Sequence, residues 1–158
     1  MAKLENNLLI QPFQQATARH YKLLLSADPS RKVVDSDLAC AHKFELLSDN
    51  QLVGVILLID TRPETIEIVN VAVIEKYWNH GFGEKLVRFG ISWAKERHYQ
   101  TIEIGTGSTS FGQLYLYQKC GFRIVGVDTD FFVRNYDEPI IENKLVLKDM
   151  VRLRLNLN

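Results

Sequence analysis

Two glycines, Gly81 and Gly83, stand at the end of the stretch Glu67-Ile-Val-Asn-Val-Ala-Val-Ile-Glu-Lys-Tyr-Trp-Asn-His-Gly-Phe-Gly83. Residues of this type in this place can bind an anion. Without Cβ atoms they let backbone N–H groups approach a charged group closely, and a helix opening at the same point adds unpaired amides and the positive end of its dipole. A phosphate is the expected ligand. The same glycines would also serve a plain tight connection, because short glycine motifs recur by chance.

The flanking elements support the phosphate reading. Ile66, Ile68, Val69, Val71 and Val73 suit a pleated backbone. Leu86, Val87, Gly90, Ile91 and Ala94 then recur on one helical face, with Glu84, Lys85, Arg88, Lys95 and Glu96 largely elsewhere. A dinucleotide fold is the first rival, since Glu103 lies about twenty residues beyond the glycines, near where a ribose-binding acid would sit. Against it, Leu86 replaces the third glycine of that fingerprint, and only one convincing strand-helix-strand unit is present.

Tyr77-Trp78-Asn79-His80-Gly81-Phe82-Gly83 resembles the acyl-CoA pyrophosphate loop of the GCN5-related N-acetyltransferases (GNAT), whose pattern is Gln/Arg-x-x-Gly-x-Gly/Ala. Further on, Leu116-Tyr117-Gln118-Lys119-Cys120-Gly121-Phe122 resembles the second signature of that superfamily, a helix ending in Leu-Tyr-x-Lys-x-Gly-Phe. Trp78 departs from the first pattern, standing where Gln or Arg is usual. The loop works mainly through backbone N–H groups, so the departure bears on affinity more than on fold.

The resemblance implies a GNAT-like α/β (mixed α+β) domain: a central, mostly antiparallel sheet whose parallel strands 4 and 5 splay apart, flanked by about four helices. It implies acetyl-CoA as cosubstrate and no metal. Backbone amides of His80 to Lys85, within a loop of Trp78, Asn79, His80, Gly81, Phe82, Gly83, Glu84 and Lys85, would hold the pyrophosphate. Main-chain groups of Val71, Ala72 and Val73 would pair with the pantetheine arm as an added strand. An amide near Val71 would polarise the thioester carbonyl.

Two side chains complete the expected chemistry. Tyr117 occupies the position of the usual general acid, and a phenol suits a thiolate leaving group because its ordinary pKa lies modestly above that of a thiol. Packing of the helix end is the plain alternative. Glu67 begins a run resembling the central strand of the histone-acetylating branch, where the glutamate deprotonates the amine, usually through water. A salt-bridged strand glutamate is its plain alternative. Tyr115 reads as packing, and His80 lies nearer the phosphates than the amine.

Composition sets the frame. At 158 residues and 18.2 kDa the chain fits one domain, residues 1–158, with a substantial core. Nineteen basic and nineteen acidic residues give zero formal charge, so bulk charge steers the protein neither to nucleic acid nor to an anionic membrane. The N-terminus lacks the apolar core of a signal peptide and no later run approaches membrane-spanning length, which points to the cytoplasm. Cys40 and Cys120 lack metal-ligand spacing and read as reduced thiols.

The remaining elements follow in order. Leu8 to Gln11 reads as a strand, Gln14 to Ala27 as a helix, and Ser30 to Cys40 as a second helix capped by Ser30. Phe44 to Leu47 and Leu52 to Asp60 read as a hairpin across Ser48-Asp49-Asn50-Gln51. Thr101 to Gly105 is a strand parallel to the central one, reached by a helical crossover. Gly105 to Ser110 reads as a flexible loop able to cap a helix over Phe111 to Cys120, which ends at Gly121. Phe122 to Arg134 and Lys144 to Leu155 read as extended partners in a last hairpin, with a long link that can line a site.

The acceptor is expected to be a primary amine on a small molecule, since the chain shows no appended recognition domain. Asp128, Asp130, Asp137, Glu138 and Glu142 would attract a cation if their loops met at the acceptor mouth, although such charges more often form a solvated face. His20, Arg31 and His42 receive no role. Homodimers are common among relatives of this kind. The alternative function is a non-catalytic acyl-CoA-binding regulatory module; Tyr117 with Glu67 favours catalysis.

Overall fold

The structure is a computed structural model that describes residues 7–158, with nine strands and five helices among them. The chain divides into two compact units. One ends at Ile59 and also includes Val69–Gly90; the other comprises Asp60–Ile68 and Ile91–Asn158.

In the first unit, β1 (Leu8–Pro12), β2 (His42–Ser48) and β3 (Gln51–Arg62) form an antiparallel set, with Leu8 opposite Ser48 and His42 opposite Leu58. The β2–β3 turn is Asp49-Asn50, both at positive φ (49° and 65°), the backbone that a tight two-residue hairpin requires and that Asp and Asn tolerate. Helices α1 (Ala18–Ala27) and α2 (Arg31–Cys40) bury Leu23, Leu24 and Val34 in a cluster with Phe13, Val55, Leu57 and Ala72. Ser30 caps α2 as expected, its hydroxyl accepting from the Val33 N–H.

Helix α1 begins four residues later than the expected Gln14. The Thr17 N–H donates to His20 Nδ1, and the other ring nitrogen, Nε2, lies 2.8 Å from Glu45 Oε1, so His20 is bound at the start of the helix. Its ring also stacks on Phe13 at 4.3 Å. Thr17 itself is extended, which closes the helix there.

Strand β4 (Thr65–Val73) starts in the second unit, pairing parallel with β5 (Thr101–Gly107) from Thr65↔Thr101 to Ile68↔Ile104. A 3-10 turn, Glu75–Tyr77, follows it, and then α3 (Phe82–Glu96). The second unit continues with α4 (Phe111–Lys119), β6 (Arg123–Asp128), α5 (Phe131–Asn135), β7 (Ile140–Glu142), β8 (Leu145–Leu147) and β9 (Met150–Asn156). The seven-stranded sheet has the order β1-β2-β3-β4-β5-β9-β6, with antiparallel pairing at β1–β2, β2–β3, β5–β9 and β9–β6 and parallel pairing at β4–β5. Strand β9 therefore lies between two strands that precede it in sequence. Ile102, Ile104, Val151 and Leu153 are buried on one side of this part of the sheet.

Three expectations need correction here. The extended run to Arg134 stops at Asp128, because Asp130 takes a left-handed conformation (φ 61°) and α5 starts behind it; this is the fifth helix. The run from Lys144 breaks between β8 and β9, where Asp149 Oδ1 accepts from the Asp130 N–H at 2.8 Å. The partners β6 and β9 do pair, but a separate hairpin, β7–β8, is inserted between them on a second positive-φ pair, Asn143-Lys144. Finally, β5 runs on to Gly107, and the Ser110 hydroxyl donates to Glu142 Oε2 rather than capping α4.

Candidate active site

In the first unit the glycine turn opens α3. The Trp78 N–H donates to the Glu75 carbonyl at 3.0 Å, and Asn79 (φ 64°) and Gly81 (φ 81°) turn the chain. A Cβ on Gly81 would meet nothing within 4 Å, so conformation rather than crowding requires glycine there. The first bond of α3 runs from the Lys85 N–H to the Gly81 carbonyl at 3.1 Å. The amides of Phe82, Gly83 and Glu84 lie before it and lack helical partners, the arrangement that receives a phosphate. Phe82 is buried and stacks on Tyr77 at 5.3 Å, fixing the start of the helix.

Trp78 and His80 serve the loop itself. Trp78 is 55% exposed, and its indole N–H donates to the Val73 carbonyl at 2.8 Å. His80 Nδ1 lies 2.8 Å from the Trp78 carbonyl. The β4–β5 ladder stops at Ile68, so Val71, Ala72 and Val73 continue past it, with Ala72 buried.

The second unit carries both titratable candidates. Tyr117 is 5% exposed on α4, its ring edge-to-face with Phe122 at 6.4 Å, and its hydroxyl has no hydrogen-bond partner among the described residues. Burial pushes the phenol well above its ordinary value, with nearby Cys120 adding to the effect. Gly121 (φ 104°) ends α4, and the Phe122 N–H returns to the Tyr117 carbonyl at 3.0 Å. The second signature is therefore a helix stop that holds its tyrosine. Tyr115 is exposed, and Cys120 is buried at the C-cap of α4.

Glu67 lies on β4 opposite Glu103, which in turn lies opposite Arg154 on β9. Arg62 ion-pairs with Glu103, Arg154 approaches it at 3.6 Å, and Arg152 Nη1 is 4.0 Å from Glu67 Oε1. The Glu67 side chain is 27% exposed. Burial raises its pKa above the ordinary carboxylate value, Arg152 and Arg62 opposing the shift and Glu103 adding to it. A carboxylate so placed is a better base than one in open water.

Two acidic side chains of the C-terminal third, Asp128 and Glu142, are already engaged. Asp128 is bridged by Arg134 at 2.5 Å and Arg152 at 3.4 Å, Glu142 accepts from Ser110, and Asp130 starts α5. Sequence reasoning missed Arg62, Arg152 and Arg154. The only signal for Arg152 and Arg154 was alternation with buried Leu153 and its neighbours, which in a strand also marks an ordinary solvated face, and Arg62 at the end of β3 carried none. Of the residues given no role, His20 is buried in its bonds to Thr17 and Glu45, and Arg31 lies over the Tyr21 ring at 3.9 Å. Among the described residues no group of three or more His, Cys, Asp or Glu could hold a metal ion, and no helix is long and apolar enough to cross a membrane.

Comparison with known proteins bears on the same elements. A family model described as the acetyltransferase (GNAT) family matches residues 7–122. The uncharacterized N-acetyltransferase YvbK of Bacillus subtilis is 49% identical over 150 residues, covering 95% of this chain and 97% of its own. The crystal structure of a Bacillus subtilis acetyltransferase in complex with CoA superposes with a TM-score of 0.93 at 48% identity, over 96% of this chain and all of the other. A GNAT family acetyltransferase of Elizabethkingia anophelis with acetyl-CoA bound superposes at 0.92 and 42% identity, over 97% and 100%. Likeness of this extent, carried across nearly the whole length of each relative, shows that the chain belongs to the GNAT acetyltransferase family and is an acetyl-CoA-dependent N-acetyltransferase.

Proposed function

We propose that the protein, as a single acetyltransferase domain spanning residues 1–158, transfers the acetyl group of acetyl-CoA to a primary amine by direct attack within a ternary complex. Acetyl-CoA supplies the activated thioester. The amides at the start of α3 hold its pyrophosphate, and main-chain groups of Val71, Ala72 and Val73 orient its pantetheine arm. Glu67 takes the amine's proton, through water, and Tyr117 gives its phenolic proton to the departing thiolate.

The observation that carries this reading is that the second unit withdraws two titratable side chains from solvent, Tyr117 on α4 and Glu67 on β4. Burial holds Tyr117 in its protonated form, as an acid must be before it acts, and burial also makes Glu67 a stronger proton acceptor than an ordinary glutamate. Neither cysteine suits a covalent route: Cys120 is buried at a helix end, and Cys40 sits at the end of α2 near the Ser36 and Asp37 carbonyls. Intersecting initial-velocity lines are therefore expected, and parallel lines would overturn direct attack.

The acceptor is read as a small molecule. Glu67 is partly buried and Tyr117 buried, and a small, unencumbered primary amine is the acceptor expected to reach them. Thiol release should be followed with a panel of small primary amines beside lysine-bearing peptides. Turnover on small amines is expected; turnover confined to peptides would overturn the small-molecule assignment. A cytoplasmic site of action, where both cysteines stay reduced, belongs to the same reading.

A homodimer also belongs to it. Edge strand β6 exposes Ile124, Val125 and Val127, and an antiparallel second copy would bring Arg123 against Asp128. Sedimentation equilibrium at micromolar concentration tests this, and a monomer there would overturn it.

A further inference from the structure

Arg152 stands on β9 between two glycines, opposite Gly105 on β5 and Gly126 on β6. Strand β9 is two strands from β4, about 10 Å at ordinary sheet spacing, so only a long side chain lying over β5 can reach Glu67. Gly105 leaves that path clear. A Cβ on Gly105 would fall 2.8 Å from Met150 Sδ, so a side chain there would displace the end of that methionine.

The other charged groups around Glu67 are engaged elsewhere. Glu103 on β5 is its ladder neighbour, and both Arg62 on β3 and Arg154 on β9 bridge Glu103. Arg152 is the ion-pair partner of Glu67 itself. Its guanidinium is steadied in turn by Asp128 at 3.4 Å and lies 5.8 Å from the centre of the Phe131 ring, while Arg134 completes the neutralisation of Asp128. The chain Arg134–Asp128–Arg152–Glu67 thus begins on α5, crosses β6 and β9, and ends at the proposed base.

We propose that Arg152 is the positioning residue of Glu67, reaching over Gly105 to orient the carboxylate that accepts the amine's proton and to set the pH at which it ionises. The reading of Glu67 as base comes from the proposed function; the Arg152 contact can be tested without it. An isolated half-exposed ion pair would matter little. Arg152 differs because Asp128 and Phe131 hold it in place and because its partner is partly buried.

The test is a carboxyl-carbon NMR titration of the whole protein labelled in glutamate, with the Glu67 signal assigned by its loss in Glu67→Gln. Arg152→Met is expected to raise the Glu67 midpoint by about one pH unit, the lower end of what an opposite charge at this range contributes. Arg152→Lys should fall between Arg152→Met and wild type. A midpoint within about 0.2 unit of wild type in Arg152→Met would overturn the inference. The acid limb of kcat/KM should move to higher pH with the midpoint, while KM for acetyl-CoA stays unchanged. A shifted midpoint with an unmoved limb would leave Arg152 in its role and instead remove Glu67 as the base.

Discussion

The indole N–H of Trp78 donates to the main-chain carbonyl of Val73 at 2.8 Å, tying the glycine turn back to the strand that feeds it. At a position where relatives of this motif carry a long polar side chain, the tryptophan acts as an internal brace. Trp78→Phe keeps an aromatic ring and removes the donor. It should lower unfolding free energy by about 0.5–1 kcal/mol. Because a looser loop must be ordered on binding, acetyl-CoA affinity should also fall about two- to fivefold. Thermal unfolding and calorimetric titration measure the two effects; reduced stability with unchanged affinity would limit Trp78 to holding the fold.

Tyr117 separates catalysis from packing. Its hydroxyl has no described hydrogen-bond partner, so Tyr117→Phe should leave stability within about 0.5 kcal/mol of wild type at pH 7. Loss of the general acid should lower kcat by about 100-fold or more. The same variant has a pH signature. A phenol with a raised folded pKa keeps its full contribution below its unfolded pKa of about 10 and loses it as pH climbs towards the folded value. Tyr99, pushed up to about 12 by burial and by its bond to Asp60, contributes in the same direction. The alkaline fall in stability should therefore be shallower in Tyr117→Phe than in wild type. Unchanged kcat would end the acid assignment.

Glu67 shifts stability in the same direction as Tyr117, but at lower pH. Its folded pKa lies above its ordinary value, so the folded state binds the proton more tightly and ionisation destabilises it. Relative to Glu67→Gln, wild type should lose stability as pH rises through the unfolded and then the folded pKa of Glu67, by under about 1 kcal/mol in total. Paired urea titrations at pH 4 and pH 7 give the difference. A wild type that gains on Glu67→Gln over that interval would show that Arg152 outweighs burial.

Two glycines of the second unit should respond oppositely to the same change. A Cβ on Gly107 would lie 2.5 Å from Leu147 Cδ1 and 2.9 Å from Ser110 Oγ, at the base of the β7–β8 hairpin. Gly107→Ala should cost about 1–3 kcal/mol through this overpacking. Gly112 lies in α4 with nothing within 4 Å of the added atom, so Gly112→Ala should stabilise by about 0.5–1 kcal/mol through helix propensity. Chemical denaturation of both variants checks the contrast, and equal effects would mean that the hairpin shifts to make room.

Much of the site was legible because its parts are local. Gly81 marks the turn before α3 through its backbone freedom, and Ser30 and Gly121 mark helix ends through contacts within a few residues. Tyr117 is held by the helix stop that follows it, so its place could be read from Leu116 to Phe122. Periodicity went wrong where a single backbone angle intervened. Asp130 at φ 61° turns an apolar, strand-like run into α5, and branched or aromatic residues do not reveal that by their spacing.

The sequence by itself determined the alternation of strands and helices, the glycine turn at the start of α3, and the helix end that carries Tyr117, because each depends on neighbours a few positions away. Tertiary structure alone decided the surroundings of Glu67. Strand β9 enters the sheet between β5 and β6, which brings Arg152 and Asp128 from far along the chain towards a carboxylate on β4. Strand insertion of this kind follows from which edges are free when the last strand docks, and ionisation follows from burial and charge in space. Neither is carried by the order of residues around Glu67.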